Sequence, residues 1–261
     1  LLNAQPLGFY GPSQLVQDAR RHQVTVLPID IQHSQWKSSL EAQVPAQAVR
    51  LGLHLVKGLS QNAGQRIEAT RNTPFASVHD LATRAQLSRH DIDALAHADA
   101  LKSLAGHRYQ ARWAGALLPT NDLLQHAPVL EERAPHFSSP GEGEEVLNDY
   151  AATGFSLRRH PLALLRSHPE LARFTTANDL LELYPDKRLA RACGLITMRQ
   201  RPQTANGIIF VSLEDETGIL NIIVRPSLAR KQRAELLDAR LLGVYGVWQR
   251  QDTVCHLIAH R

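Results

Sequence analysis

The spacing of apolar residues divides this 261-residue chain near residue 187. Before that point apolar positions mostly recur three and four residues apart, as on helices with one buried face; after it they alternate, as in strands. Leu15, Val16 and Ala19 share one face of a helix expected over residues 13–22, and residues 24–31 alternate like a short strand. Residues 48–56 alternate at Val49, Leu51, Leu53 and Leu55 and predict a strand. Lys57-Gly58-Leu59-Ser60 then reads as a turn that opens a helix running to about Asn72. Ser77-x-x-Asp80 and Ser88-x-x-Asp91 have capping-box spacing, with Asp in the Glu place. The helices they open carry the stripes Val78, Leu81, Ala82, Ala85 and Ile92, Leu95, Ala96, and a further helix is expected over 107–118. Pro119, Pro128, Pro135 and Pro140, with Gly141-Glu142-Gly143, mark a linker, and residues 162–166 and 178–184 look helical again.

From residue 187 the expected strands are 189–198, 208–213, 219–224, 241–248 and 254–259. Asn206-Gly207 is a hairpin signal, Asp215-Glu216-Thr217-Gly218 joins the second and third strands, and one helix is expected from Ser227 to about Asp238. Its leucines Leu228, Leu236 and Leu237 are expected to pack inward. The order β-β-β-α-β-β fits an OB barrel; another small barrel would share the spacing. The expected fold class is α+β and multidomain, a mostly helical helix-hairpin-helix region followed by a five-stranded OB-type barrel with one helix. The expected parts are 1–44, an incomplete end of a larger domain; 45–118, the hairpin region; 119–186, linker and helical connector; and 187–261, the barrel.

Charge sharpens this picture at one end. The chain has 29 Lys plus Arg against 25 Asp plus Glu, but residues 186–261 hold 12 basic and seven acidic residues. A small basic domain favours a polyanion such as nucleic acid. Two cysteines cannot form a disulfide framework, and no apolar run nears the roughly 18 residues of a membrane helix, so a cytoplasmic protein away from membranes is expected. The chain opens Leu1-Leu2-Asn3 with Met198 as its only methionine, as a piece of a longer polypeptide would.

Candidate chemistry follows from these elements. A glycine in a turn that opens a helix lets backbone N–H groups approach a phosphate, so Lys57, Gly58, Leu59 and Ser60 are candidates for duplex phosphates, beside the plainer reading of a structural turn. The familiar hairpin has Gly-hydrophobic-Gly; here Ser60 holds the second glycine place. Ala98-Asp99-Ala100-Leu101 reads as a second, degenerate hairpin without glycine, followed by Arg108 and Arg112 as further phosphate contacts. On the barrel, Arg199, Gln200, Arg201, Phe210, Trp248 and Arg250 are candidates for single-stranded template, by the aromatic platforms and basic groove such barrels use. Phe210 and Trp248 also read as core. Glu214-Asp215-Glu216 has the composition of a two-metal site but lies in a turn, where a solvated surface is the plainer reading. No C-x-x-C, H-E-x-x-H, P-loop or G-x-S-x-G is present, so no metal or catalytic residue is assigned, and Cys193 and Cys255 read as buried thiols.

Four strings go further. "LNAQPLGFYGPSQLVQDARRHQVTVLPID", "VRLGLHLVKGLS", "TGFSLRRHPLALLR" and "CGLITMRQRPQTANGIIFVSLEDETGILNIIVRPSL" occur in this order. Together they resemble the C-terminal part of bacterial C-family DNA polymerases, the α-subunit type, and most closely their error-prone, damage-induced branch. The resemblance implies an end of the fingers at 1–36, tandem hairpins on primer–template duplex, and an OB domain near single-stranded template. It implies translesion synthesis with Mg2+ in the parent polymerase, accessory mutagenesis proteins, and an indirect link to the sliding clamp. No part of the chain matches the palm that carries the family's catalytic aspartates, nor the N-terminal phosphoesterase-like domain. The clamp-binding pattern of replicative members is missing from 119–140, which holds only Gln125. The alternative is a non-catalytic DNA-binding or protein-docking adaptor built from the same two modules.

Overall fold

The computed structural model describes residues 1–6, 11–42, 47–118, 135, 137–252 and 254–261. Gln125, Pro119 and Pro128 lie outside the described residues. The chain divides into two compact units, Leu1–Arg158 and Arg159–Arg261.

The first unit begins with helix α1 (Pro12–Arg21), whose proline stands in the first turn, where its missing N–H costs nothing. Strands β1 (Val26–Leu27), β2 (Ser39–Ala42) and β3 (Gln47–Arg50) form a small sheet in the order β1-β3-β2. The alternation over 48–56 does not make one strand. It turns into a single 3-10 turn at Leu53–Leu55. Leu51, Leu53, Leu55 and Val56 are all buried, and the segment 35–38 crosses over them, accepting Leu53 N–H at Gln35 O and His54 N–H at Trp36 O. Gly52 permits that crossing, because a Cβ there would lie 2.5 Å from the Lys37 carbonyl carbon.

Six helices follow: α2 (Gln61–Thr70), α3 (Val78–Arg84), α4 (Arg89–His97), α5 (Lys102–Ala105), α6 (Arg108–Ala116) and α7 (Glu142–Ala152). Ser60, Ser77 and Ser88 cap α2, α3 and α4, and Asp91 closes the capping box on Ser88. The apolar stripes meet in one core that includes Ile67, Leu81, Ile92, Leu95 and Leu101. Val16 and Ile31 from the chain start, and Phe155 from beyond the linker, lie in the same core. Each such fully buried side chain contributes roughly 1.5–3 kcal/mol.

The second unit holds α8 (Pro161–Leu165), α9 (Ala177–Glu182) and a closed barrel of β4 (Leu189–Gln200), β5 (Ile209–Glu214), β6 (Ile219–Val224), β7 (Leu241–Gln251) and β8 (Val254–Ala259). Its strand order is β4-β5-β6-β8-β7. Closure is achieved by β4, which pairs with β7 over residues 189–195 and with β5 over 195–200. The single helix expected between the third and fourth strands is two short ones, α10 (Pro226–Lys231) and α11 (Arg233–Asp238). The break at Gln232 turns Leu228 and Leu236 toward the barrel core and leaves Leu237 46% exposed, against the expectation for that residue.

Candidate nucleic-acid interface

The first hairpin turn has the backbone a phosphate seat requires. Gly58 sits at φ +87°, a conformation that side chains other than glycine's disfavour. Leu59 is buried and anchors the turn in the core, while Ser60 accepts the Ala63 N–H and starts α2. Gln61 and Asn62, at the start of α2 and the positive end of its dipole, are exposed. Lys57 is exposed, but its ammonium already donates to Tyr150 O at 3.2 Å and Ala151 O at 3.0 Å, at the C-terminal end of α7. One of its three donors remains for another acceptor.

The second turn carries the opposite chemistry. Asp99 takes the left-handed conformation there, at φ +57°, ahead of buried Ala100 and Leu101. Its carboxylate accepts from Arg158 at 2.8 Å and stands 4.0 Å from Arg108. Arg108, expected on duplex phosphates, is instead buried: it donates to His97 O at 2.7 Å, Glu145 at 2.5 Å and Asp149 at 2.7 Å. Arg158 also donates to Glu145, and Ser156 to Asp149. Two guanidinium groups thus serve three carboxylates inside the unit. Burial pushes the Asp99 carboxyl above its ordinary value, only partly opposed by Arg108 and Arg158. Burial works against the Arg108 charge, but its bond to Asp149 and the surrounding carboxylates outweigh that and raise it. Arg112 stays on the surface, paired to Asp93 at 3.2 Å with both side chains about half exposed.

On the barrel the six candidates separate. Gln200 and Arg201 are exposed, and Phe210 lies half-buried on the outer face of β5, opposite Gln200, while Val211 and Leu213 point inward. Arg199 is tied to the end of α11, donating to Leu236 O at 2.7 Å and to Ala239 O. Arg250 likewise holds the end of α9 through Leu180 O and Leu181 O. Trp248, expected as a platform, is fully buried and cannot stack on a base. It fills the barrel beside Ala190, Ala192 and Ala259, whose small side chains leave room for the indole.

The acidic turn is structural rather than solvated. Asp215 is 5% exposed and accepts Ala177 N–H at 2.7 Å, Thr217 N–H and Oγ1 at 2.7 Å, and Gly218 N–H at 3.0 Å. Burial opposes the Glu216 charge, but Arg166, donating at 2.6 Å and 2.9 Å, outweighs it and holds the carboxyl below its ordinary value. Cys193 is buried, which pushes its thiol up and away from the reactive thiolate.

Two family models match. The helix-hairpin-helix motif covers residues 23–111, and the OB-fold nucleic acid binding domain covers 190–261. The chain is 55% identical over 265 residues to the error-prone DNA polymerase of Bordetella parapertussis, which takes in all of this chain and 25% of that protein. It is 48% identical over 281 residues to the error-prone DNA polymerase of Methylococcus capsulatus, again across the whole chain and 27% of the relative. The chain matches one segment of the error-prone DNA polymerases. It spans about a quarter of the length of those relatives. A solved asparaginyl-tRNA synthetase from Pyrococcus horikoshii aligns over 34% of the chain and 22% of its own, at 19% identity and a TM-score of 0.28, and carries no argument.

Sequence reading missed Glu145, Asp149 and Arg158. Their partners lie far along the chain; Arg108 and Glu145, for instance, are 37 residues apart. No local spacing announces such pairs. The capping serines were legible because their partners are three residues away.

Proposed function

We propose that this chain is the nucleic-acid-holding segment of an error-prone DNA polymerase. Duplex phosphates of a primer–template rest on the Gly58 turn, with Lys57, Leu59, Ser60 and Arg112 around it. Single-stranded template meets the barrel at Gln200, Arg201 and Phe210, with Arg199 and Arg250 shaping the adjoining helix ends. The observation that carries the reading is the left-handed glycine turn opening a capped helix at the surface, inside the matched helix-hairpin-helix span.

In the parent protein the segment serves damage-induced, translesion synthesis in the cytoplasm, with accessory mutagenesis proteins and, through them, the sliding clamp as partners. Mg2+ would supply charge stabilisation for nucleotide transfer there. Among the described residues no group of three or more His, Cys, Asp or Glu is arranged to hold an ion, and Asp215 and Glu216 are engaged as above. The residues present do not fit the metal, and no step of transfer is assigned to this chain. Among the described residues no helix is long and apolar enough to cross a membrane.

Fluorescence anisotropy with primer–template, blunt duplex and single-stranded DNA across a salt series tests the reading. Binding that prefers the primer–template and weakens steeply with salt is expected, since phosphate contacts release counterions. Absence of binding at low salt by the folded chain overturns it. A single-turnover extension assay is expected to show no incorporation by these residues alone.

A further inference from the structure

The strand register of the barrel defines two parallel rows on its outer surface. Leu189 lies opposite Val247, Val247 opposite Ile258, Ile258 opposite Ile223, and Ile223 opposite Phe210. Paired residues point to the same side of a sheet, and Ala190, Ile222, Leu257 and Trp248 between them point inward. An apolar row therefore crosses β4, β7, β8, β6 and β5 on the outside, with Leu189 52% exposed at one end.

Two residues along each strand, on one flank, stands a second row. Arg191 pairs with Tyr245, the His260 N–H donates to Tyr245 O at 2.8 Å, and Arg225 follows Ile223 by two residues as His260 follows the paired Ile258. The Arg191 guanidinium lies 5.4 Å from the Tyr245 ring centre. Arg191, Arg225 and His260 are exposed, and neither Arg191 nor Arg225 has an ion-pair partner among the described residues. The opposite flank carries Gln249, His256, Asn221 and Ser212, with the exposed Lys187, whose N–H donates to Trp248 O at 2.9 Å, just ahead of β4.

We infer that this double row is a track for single-stranded nucleic acid that continues past Phe210 onto β8, β7 and β4. Bases pack on the apolar row and Tyr245, and phosphates follow Arg225 and Arg191. Exposed cations along an apolar row, with two guanidinium groups on the Tyr245 side, select a polyanion with apolar faces over an apolar protein partner. The inference rests on the proposed single-strand reading of the barrel and extends it to residues outside the Arg201–Phe210 end.

The test is titration of a labelled oligothymidylate of about 16 nucleotides with the 261-residue chain across a salt series. Arg191→Ala and Arg225→Ala are each expected to reduce the slope of log K against log salt by about 0.7 and to lower affinity roughly fivefold at 0.1 M salt. Tyr245→Ala should lower affinity about tenfold, and Tyr245→Phe should restore it, because the stacking face is kept. Arg233→Ala, which removes the same charge from α11 outside the row, is expected to leave the slope unchanged. Unaltered melting of each variant separates lost contact from lost fold. If Phe210→Ala weakens binding while the Arg191 and Arg225 variants behave like Arg233→Ala, the extended track is wrong and the barrel reading stands. If the parent chain binds no single strand, both fall.

Discussion

Gly58 and Asp99 occupy matching places in the first unit. Each takes a left-handed backbone conformation, at φ +87° and +57°, and each precedes a buried leucine and a helix. Around Gly58 the turn is exposed and its nearest cation, Lys57, keeps a donor available. Around Asp99 a carboxylate stands where a phosphate would sit, and Arg108 and Arg158 are drawn inward to Glu145 and Asp149. The same backbone device thus makes an open turn, the proposed phosphate seat, in one place and carries an internal brace in the other. What differs is the turn residue itself, a glycine against a carboxylate, and the side chains that tertiary contacts bring to it.

The largest effect that would break this contrast is at Arg108. Arg108→Met leaves Asp99, Glu145 and Asp149 with Arg158 as their one remaining guanidinium, and should destabilise the unit by about 3–5 kcal/mol in urea denaturation. A phosphate-binding role alone would leave stability unchanged and lower only duplex affinity. Gly58→Ala comes next. It forces a Cβ into a left-handed turn and 3.3 Å from the His90 ring, and should cost about 1–2 kcal/mol together with duplex affinity. Lys57→Ala should cost about 0.3–1 kcal/mol through the end of α7, and it should reduce the duplex salt slope by about 0.9 if the free donor meets a phosphate.

Asp99→Asn probes the brace more gently. The folded carboxyl is raised above its unfolded value, so the folded state binds the proton more readily over the intervening range. Stability from this group is therefore greatest below the unfolded value and is lost as pH rises through the raised one. Asn tolerates the left-handed turn, so the variant should lack that component of the stability–pH profile. By removing a negative charge beside the turn it should also raise duplex affinity about twofold at low salt. The smallest effect is expected for Arg112→Ala, within about 0.5 kcal/mol of wild type, because its pair with Asp93 is half exposed.

Legibility in the chain tracked the distance over which each feature is decided. The order of the barrel's elements along the chain, the Gly58 turn and the caps at Ser60, Ser77 and Ser88 depend on neighbours within a few residues, and periodicity or spacing exposes them; the pairing of β4 with β7 and of β6 with β8 joins strands far apart in the chain. The 48–56 segment misled because its alternating leucines are buried on both faces, so alternation no longer marked a half-exposed strand. Trp248 misled in the other direction: its polar neighbours Gln249 and Gln251 face outward, while the pleat turns the indole into the barrel.

By itself the sequence determined most of the element types, the order of the barrel strands along the chain and the turn whose backbone only glycine takes easily. Those follow from local sterics and from hydrophobic period. The tertiary structure decided which basic residues remain for a ligand. Arg108 was drawn to carboxylates, while Lys57, Arg199 and Arg250 were drawn to the carbonyls that helix ends leave without partners. A guanidinium satisfies whichever acceptor packing brings near it, and that acceptor is set by the fold rather than by the residue's neighbours in the chain.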